Sequence, residues 1–342
     1  MPFAGFAMPI SYSNIKQEHQ AVRENVGIFD VSHMGEFIVS GPDATAFLNY
    51  VCSNDIFKLF NGKALYGYLP NNNGGIVDDL LVYRLASDQY LLVVNAANIA
   101  KDLNWLKEHK NNFDVRIENH SNDWSLLAVQ GPNAAKTLQS LTSIDLPSIE
   151  YYTFKIGDFA GIEEVIISAT GYTGSGGFEI YMKSKHALVI WDAIMNTEHP
   201  PTPCGLAARD TLRLEMGYCL YGQDIDDTSC PLEAGLSWVT SLDKEFIGSA
   251  ELLAKKEGKL MQRLVGFEMI DRGIPRQGYE VLDAQGNTLG KVTSGTHGPS
   301  VNKGIGMAYI ASPFNKKNSE IFIGVRNKRL KAKVVKMPFY KV

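Results

Sequence analysis

The chain has 342 residues, a length that at roughly 150 residues per domain fits two domains or three smaller ones. Hydrophobic residues make up 45% of it and charged residues 20%, enough apolar side chain to offset chain entropy and exclude wholesale disorder. Lys+Arg 33 against Asp+Glu 37 leaves a net charge of −4, so the cation excess of a general nucleic-acid binder is missing.

The opening stretch MPFAGFAMPISYSNIKQ has no basic run ahead of an apolar segment and does not read as a signal peptide. No window approaches 18 uninterrupted apolar residues, so no membrane span is expected. Cys52, Cys204, Cys219 and Cys230 are scattered without a C-x-x-C pair. That argues against a zinc ribbon or a redox pair, and for free thiols in a reducing cytoplasm. The expectation is a soluble cytoplasmic protein.

In chain order, Asn14 caps a helix over 14–27, where Ile15, His19, Val22 and Val26 recur at helical spacing before Gly27. A strand over 36–40 and a helix over 44–50 follow. The run Asn71-Asn-Asn-Gly-Gly75 is a turn signal, because Asn and Gly tolerate positive φ. Strands over 76–84 and 89–95 lead to an amphipathic helix over 97–109. The rhythm then returns, with a strand at 125–130, a helix at 132–142, strands at 151–155, 163–168 and 177–182, and a helix at 186–196. This is a mixed α+β pattern whose two half-units suggest a duplicated arrangement of sheet and helices. From about 262 the character changes to short strands at 264–269, 280–282, 289–293, 305–310, 320–325 and 331–335, the pattern of a small β-barrel. The domain boundary is expected between 240 and 262, giving one region over 1–240 and a second over 241–342.

Three stretches could carry chemistry. Asp78-Asp79 opens an apolar strand, where successive side chains point to opposite faces. One carboxylate would then face inward, which is costly without a partner or a task; two solvated turn residues are the alternative. Residues 168–179 form a glycine-dense loop with Tyr172 and Glu179 on either side. It is neither a dinucleotide fingerprint nor a P-loop, and reads either as a ligand-approached backbone or as a plain hairpin. Residues 204–215 read as a helix with Arg209, Asp210 and Arg213, where Arg209 could pair with Glu179 or Asp79, grip a carboxylate, or make a structural ion pair. His33 stands out only by its small neighbours. No H-E-x-x-H or G-x-S-x-G is present. A run of seven Lys/Arg without an acid closes the chain from Arg326 on. It is either a solvated strand face or a place where an acidic partner is steered.

Taken together, these pieces resemble the glycine cleavage system T-protein family of aminomethyltransferases. The resemblance rests on Pro2-Phe-Ala-Gly-Phe-Ala-Met-Pro, Gly27-Ile-Phe-Asp-Val-Ser-His-Met-Gly-Glu36, Gly74-Gly-Ile-Val-Asp-Asp-Leu and Val94-Asn-Ala-Ala-Asn. It continues through Thr170-Gly-Tyr-Thr-Gly, Gly177-Phe-Glu, Gly205-Leu-Ala-Ala-Arg-Asp, Arg272-Gly-Ile-Pro-Arg-Gln-Gly-Tyr-Glu-Val and Met337-Pro-Phe, nearly end to end.

What the resemblance implies is a three-lobed, cloverleaf-like architecture of mixed sheet and helix lobes with a C-terminal β-barrel. The implied reaction takes the aminomethyl group on the lipoyl arm of H-protein and passes its carbon to tetrahydrofolate, giving 5,10-methylenetetrahydrofolate, ammonia and the reduced arm. Tetrahydrofolate is thus a co-substrate, lipoylated H-protein the partner, and no metal or nucleotide is implied. The family's catalytic aspartate falls on Asp79, its pterin-gripping glutamate on Glu179, and its arginine on Arg209. Met34, Tyr83, Asn95, Tyr152 and Tyr172 match positions that line the folate site. Ala169 stands where many relatives carry an arginine, the loss of one cation. The runner-up is another folate-dependent transferase or demethylase on the same scaffold. A third reading, a non-catalytic folate-binding accessory protein for iron–sulfur maturation, lacks its motif here.

Overall fold

The computed structural model describes residues 1–341; Val342, the last residue of the expected second domain, lies outside them. The chain begins with β1 (Pro2–Phe3), β2 (Phe6–Ala7), α1 (Ile15–Glu24) and β3 (Gly27–Asp30). Next come β4 (Gly35–Ser40), α2 (Ala44–Val51), β5 (Ala64–Pro70), β6 (Ile76–Ala86), β7 (Gln89–Val94), α3 (Ile99–Glu108) and β8 (Arg116–Asn119). They are followed by β9 (Trp124–Gln130), α4 (Ala134–Leu138), β10 (Phe154–Phe159), β11 (Ile162–Ser168), β12 (Gly177–Lys183), α5 (Ala187–Met195) and β13 (Thr202–Pro203). Helices α6 (Leu206–Glu215) and α7 (Ser249–Glu257) precede β14 (Gln262–Met269), β15 (Glu280–Leu282), β16 (Thr288–Gly298), β17 (Lys303–Ala311), β18 (Glu320–Val325) and β19 (Lys328–Val335). Residues 1–69 and 78–209 form one compact unit; residues 70–77 and those from Asp210 on form another.

The first unit contains the duplication that the strand and helix rhythm suggests. β4–α2–β5–β6–β7–α3–β8 is repeated as β9–α4–β10–β11–β12–α5–β13, and the sheets run β5-β6-β7-β4-β8 and β10-β11-β12-β9-β3-β13. The second sheet differs by taking β3 in between β9 and β13. Alternation decides the layering. Val129, Leu127, Phe178, Ile180, Val165 and Ile167 share one face and pack with Leu138, Ile190 and Ile194 of the helices, leaving Glu179 and Tyr181 on the other face. Ala169 is buried in the same apolar cluster.

Several expectations need correction. Gly27 does not end a helix: α1 stops at Glu24 and Gly27 starts β3, at a place where a Cβ would lie 2.5 Å from Val22 and 2.8 Å from the Cys204 sulfur. β5 carries no clean alternation and was not expected. The strand expected at 151–155 runs instead over Phe154–Phe159, and Tyr152, at φ 62°, belongs to the turn before it. α4 spans one turn of the expected 132–142 helix and continues as a 3₁₀ turn over Gln139–Leu141. α7 lies within the 240–262 stretch where the domain boundary is expected.

The second unit holds a closed barrel in the order β14-β17-β16-β15-β18-β19, one strand for each of the six expected. Phe267, Val281, Val292, Ile310, Ile321, Ile323 and Val334 fill its interior by period-two alternation. From the basic run, Lys331 pairs with Glu320 at 2.7 Å and Arg326 sits in the β18–β19 turn at positive φ. Arg213 is fully buried as a structural ion pair, 2.8 Å from Asp224 and bonded to Ser294. The 71–75 turn is pinned as well: Asn71 accepts from Gly75 N and donates to Asp227 O, both at 2.8 Å. Among the described residues, no helix is long and apolar enough to cross a membrane.

Candidate active site

The register of the five-stranded sheet sorts its side chains. Leu81 pairs with Val93 and Glu36 with Val93, while Leu80 and Gly35 both pair with Val94. Residues directly opposite share a face. Asp79, Leu81, Tyr83 and Glu36 therefore lie on one side of the sheet, and Asp78, Leu80 and Gly35 on the other. Gly35 lies against Ile99 of α3, so the Asp78 side is the one covered by that helix. The two carboxylates do point to opposite faces, but neither is a solvated turn residue. Asp78 is fully buried and Asp79 half-buried.

Asp79 is held from two directions. Its Oδ2 accepts from the Tyr66 hydroxyl at 2.9 Å and its Oδ1 from Asn95 Nδ2 at 2.8 Å. Burial, and then the negative charge of Asp78, push its pKa up to about 7, while the bonds from Tyr66 and Asn95 act against the rise. Such a carboxyl can take up or release a proton near neutral pH, as a general acid–base group must. Asp78 accepts from Asn95 N at 3.0 Å, Asn95 Nδ2 at 2.8 Å and Asn98 Nδ2 at 2.7 Å.

On β12, Glu179 and Tyr181 alternate onto the face away from the helices. The Thr170 hydroxyl donates to Glu179 Oε2 at 2.5 Å and lies 3.0 Å from the Tyr83 hydroxyl, which is 2.9 Å from that of Tyr181. Tyr83 thus joins the two sheets of the unit through a buried chain of hydroxyls that ends on Glu179. Burial raises the Glu179 pKa, opposed by the Thr170 bond and by the positive charge of Arg209. The Arg209 guanidinium stacks 4.8 Å from the centre of the Tyr172 ring. Glycine is needed in the intervening loop: at Gly171, φ +158°, a Cβ would stand 2.0 Å from the Gln130 side-chain oxygen. Arg23 holds the far side of the loop by donating to Thr173 O and Ser175 Oγ.

Of the expected residues, Asp79 meets Asn95, Tyr83 reaches Glu179 through Thr170, and Tyr172 meets Arg209. Met34 lies half-buried in the turn between β3 and β4, and Tyr152 in the turn before β10. His33 is buried edge-on to Phe3 at 5.4 Å; burial, with the Arg209 charge, lowers its pKa to about 4 and leaves it neutral. Sequence reasoning missed Tyr66, Thr170, Tyr181, Asn98, Asp102 and Glu36. Two of them left a signal: Asn95, Asn98 and Asp102 are spaced three and four apart, which places them on one helical face.

Comparison with known proteins agrees across the whole length. The GCVT N-terminal domain model matches residues 1–244, and the glycine cleavage T-protein C-terminal barrel domain model matches residues 262–341. An aminomethyltransferase of Flavobacterium psychrophilum is 56% identical, covering 100% of this chain and 95% of that protein. One of Chloroherpeton thalassium is 50% identical over 98% of this chain and 93% of its own. Among solved structures, the glycine cleavage system aminomethyltransferase T of Bartonella henselae superposes with a TM-score of 0.94 at 33% identity, covering 99% of this chain and 93% of that one.

Proposed function

This chain belongs to the glycine cleavage T-protein family of aminomethyltransferases, and we propose that Asp79 is the carboxylate at its reacting centre. The observation that carries this reading is the placement of Asp79: a carboxyl held by Tyr66 and Asn95, poised near neutral, on the sheet face that Tyr83 links to Glu179. The family's reaction removes a carbon from an S–CH2–NH2 group, breaking its bonds to sulfur and to nitrogen. It forms bonds from that carbon to N5 and N10 of tetrahydrofolate. The two protons lost from those nitrogens go to the thiolate and to the departing ammonia. Between the bond breakings the carbon is iminium-like and cationic. A half-buried carboxylate beside that carbon stabilises the charge and is at hand to accept an N–H proton.

Lipoylated H-protein is the proposed donor, tetrahydrofolate the acceptor, and the cytoplasm the place of work. Glu179 suits the amino-pyrimidine edge of a pterin, whose paired N–H donors a carboxylate accepts. Tyr172, Tyr152 and Met34 supply aromatic and thioether surface for a flat ring system, and Arg209 a cation beside it, while Tyr83, itself fully buried, supports Glu179 from behind through Thr170. The test is formation of methylenetetrahydrofolate and ammonia from aminomethyl-loaded H-protein. Turnover that needs both H-protein and tetrahydrofolate is the expected result; turnover with a free N-methyl donor and none with H-protein would replace the reading by a demethylase.

A further inference from the structure

Asp102 of α3 is fully buried, and neither of its carboxyl oxygens has a donor to accept from. The polar side chain it meets is Asp78, itself an acceptor. Two carboxyl groups hydrogen-bond only when one of them carries a proton. Three N–H donors converge on Asp78, from Asn95 N, Asn95 Nδ2 and Asn98 Nδ2 at 2.7–3.0 Å, and they favour its ionised form. The shared proton therefore belongs to Asp102.

We propose that Asp102 is a positioning residue for Asp79: as a neutral carboxylic acid it donates to Asp78, keeps Asp78 ionised, and so fixes both the Asn95 amide and the negative charge that stand behind Asp79. The catalytic consequence rests on the reading of Asp79 given above; the proton placement does not. Burial drives the Asp102 pKa up to about 10, with the charges of Asp78 and Asp79 adding to the rise and Lys101 of the same helix acting against it. Burial pushes Asp78 up too, and its hydrogen bonds from Asp102, Asn95 and Asn98 pull it back. Facing Asp79 are the Asp78 charge, which raises its pKa, and the Tyr66 hydroxyl of β5 and Asn95 amide, which lower it. The device thus sets the pH at which Asp79 changes charge without Asp102 touching a reactant.

The test is a carbon-13 NMR titration of aspartate-labelled whole chain, with no substrate needed. Wild type should show one aspartate with its midpoint near 7, absent in D79N, and one that stays protonated through the neutral range, absent in D102N. D102N keeps a donor toward Asp78 and removes no charge, so the Asp79 midpoint should stay in place. D102A removes the donor, lets Asp78 take up a proton at higher pH, and should lower the Asp79 midpoint by about one unit. D78N, which deletes the charge directly, should lower it likewise and serves if D102A does not fold. A midpoint that falls in D102N as much as in D78N would mean that Asp102 is ionised, and would overturn the proposal, as would the absence of any aspartate protonated above neutral pH. If these titrations come out as expected while the acid limb of kcat ignores the Asp79 midpoint, the proton placement stands and the assignment of Asp79 to the reaction falls.

Discussion

Asn95 uses one side-chain nitrogen to reach Asp78 and Asp79 at 2.8 Å each, although the two carboxylates lie on opposite faces of the same strand. It can do so because β7 ends at Val94, alongside Leu80, so that Asn95 stands beside the start of β6 rather than within the ladder. One amide thereby ties a fully buried carboxyl to a half-buried one on the opposite face of the sheet.

For Asp79, the expected outcome of Asp79→Asn is an intact fold and retained tetrahydrofolate binding, because the amide is nearly isosteric. The kcat should drop by roughly 10²–10⁴, the range for loss of a positioned proton-transfer group. Melting curves, folate titration and turnover with aminomethyl-loaded H-protein check the three parts. Near-normal turnover would remove Asp79 from the reaction.

Asp78 is fully buried, so the same change there acts on the fold. Asp78→Asn turns an NH2 group toward donors from Asn95 or Asn98 and leaves buried polar groups unpaired. The expected cost is about 1–3 kcal/mol of stability. Urea unfolding measures it; a loss within experimental scatter would show that the pocket repacks around the amide.

Glu36 gives the fold a pH dependence. Both its oxygens are buried without a partner, and burial alone raises its pKa from 4.5 to about 9. The folded chain then keeps a proton that the unfolded chain releases. This contribution is complete below the unfolded value and is lost as pH rises from there toward 9. The slope is about 1.4 kcal/mol per pH unit for one such proton. Glu36→Gln should flatten the fall in unfolding free energy across this window by up to that amount. Asp102, also raised, leaves a residual slope of the same sign. Parallel curves for the two proteins would mean that Glu36 is not protonated in the folded state.

Glu179→Gln tests binding rather than chemistry. Thr170 and Tyr181 still find an oxygen to donate to, so the fold should hold. Tetrahydrofolate affinity should fall by about 1–3 kcal/mol as the pterin edge loses a charged acceptor. Calorimetric titration with undiminished affinity would take Glu179 out of the folate site.

Period-two alternation carried most of what was readable. It separates the core face of β12 (Phe178, Ile180, Met182) from the Glu179–Tyr181 face, and it puts Asp78 and Asp79 on opposite sides of β6. The same local rule yields the six barrel strands, since each buries one face in a closed layer. The repeated order of strands and helices was visible for the same reason.

Tertiary structure decided the rest, because those features depend on residues far apart in the chain. β3 is a strand only because β9 and β13 flank it, across about 100 and 175 residues of chain, and no local pattern marks it. Whether Asp78 is solvated or buried depends on Asn98, at the start of α3, and Asp102 within it being laid over it. Tyr83 reads as a strand tyrosine, yet its hydroxyl belongs to a network completed by Thr170 and Tyr181, 87 and 98 residues away. Composition and periodicity determine which face a side chain takes. What waits on that face, and so whether a carboxyl there is charged, is set by the packing of segments that only the folded chain brings together.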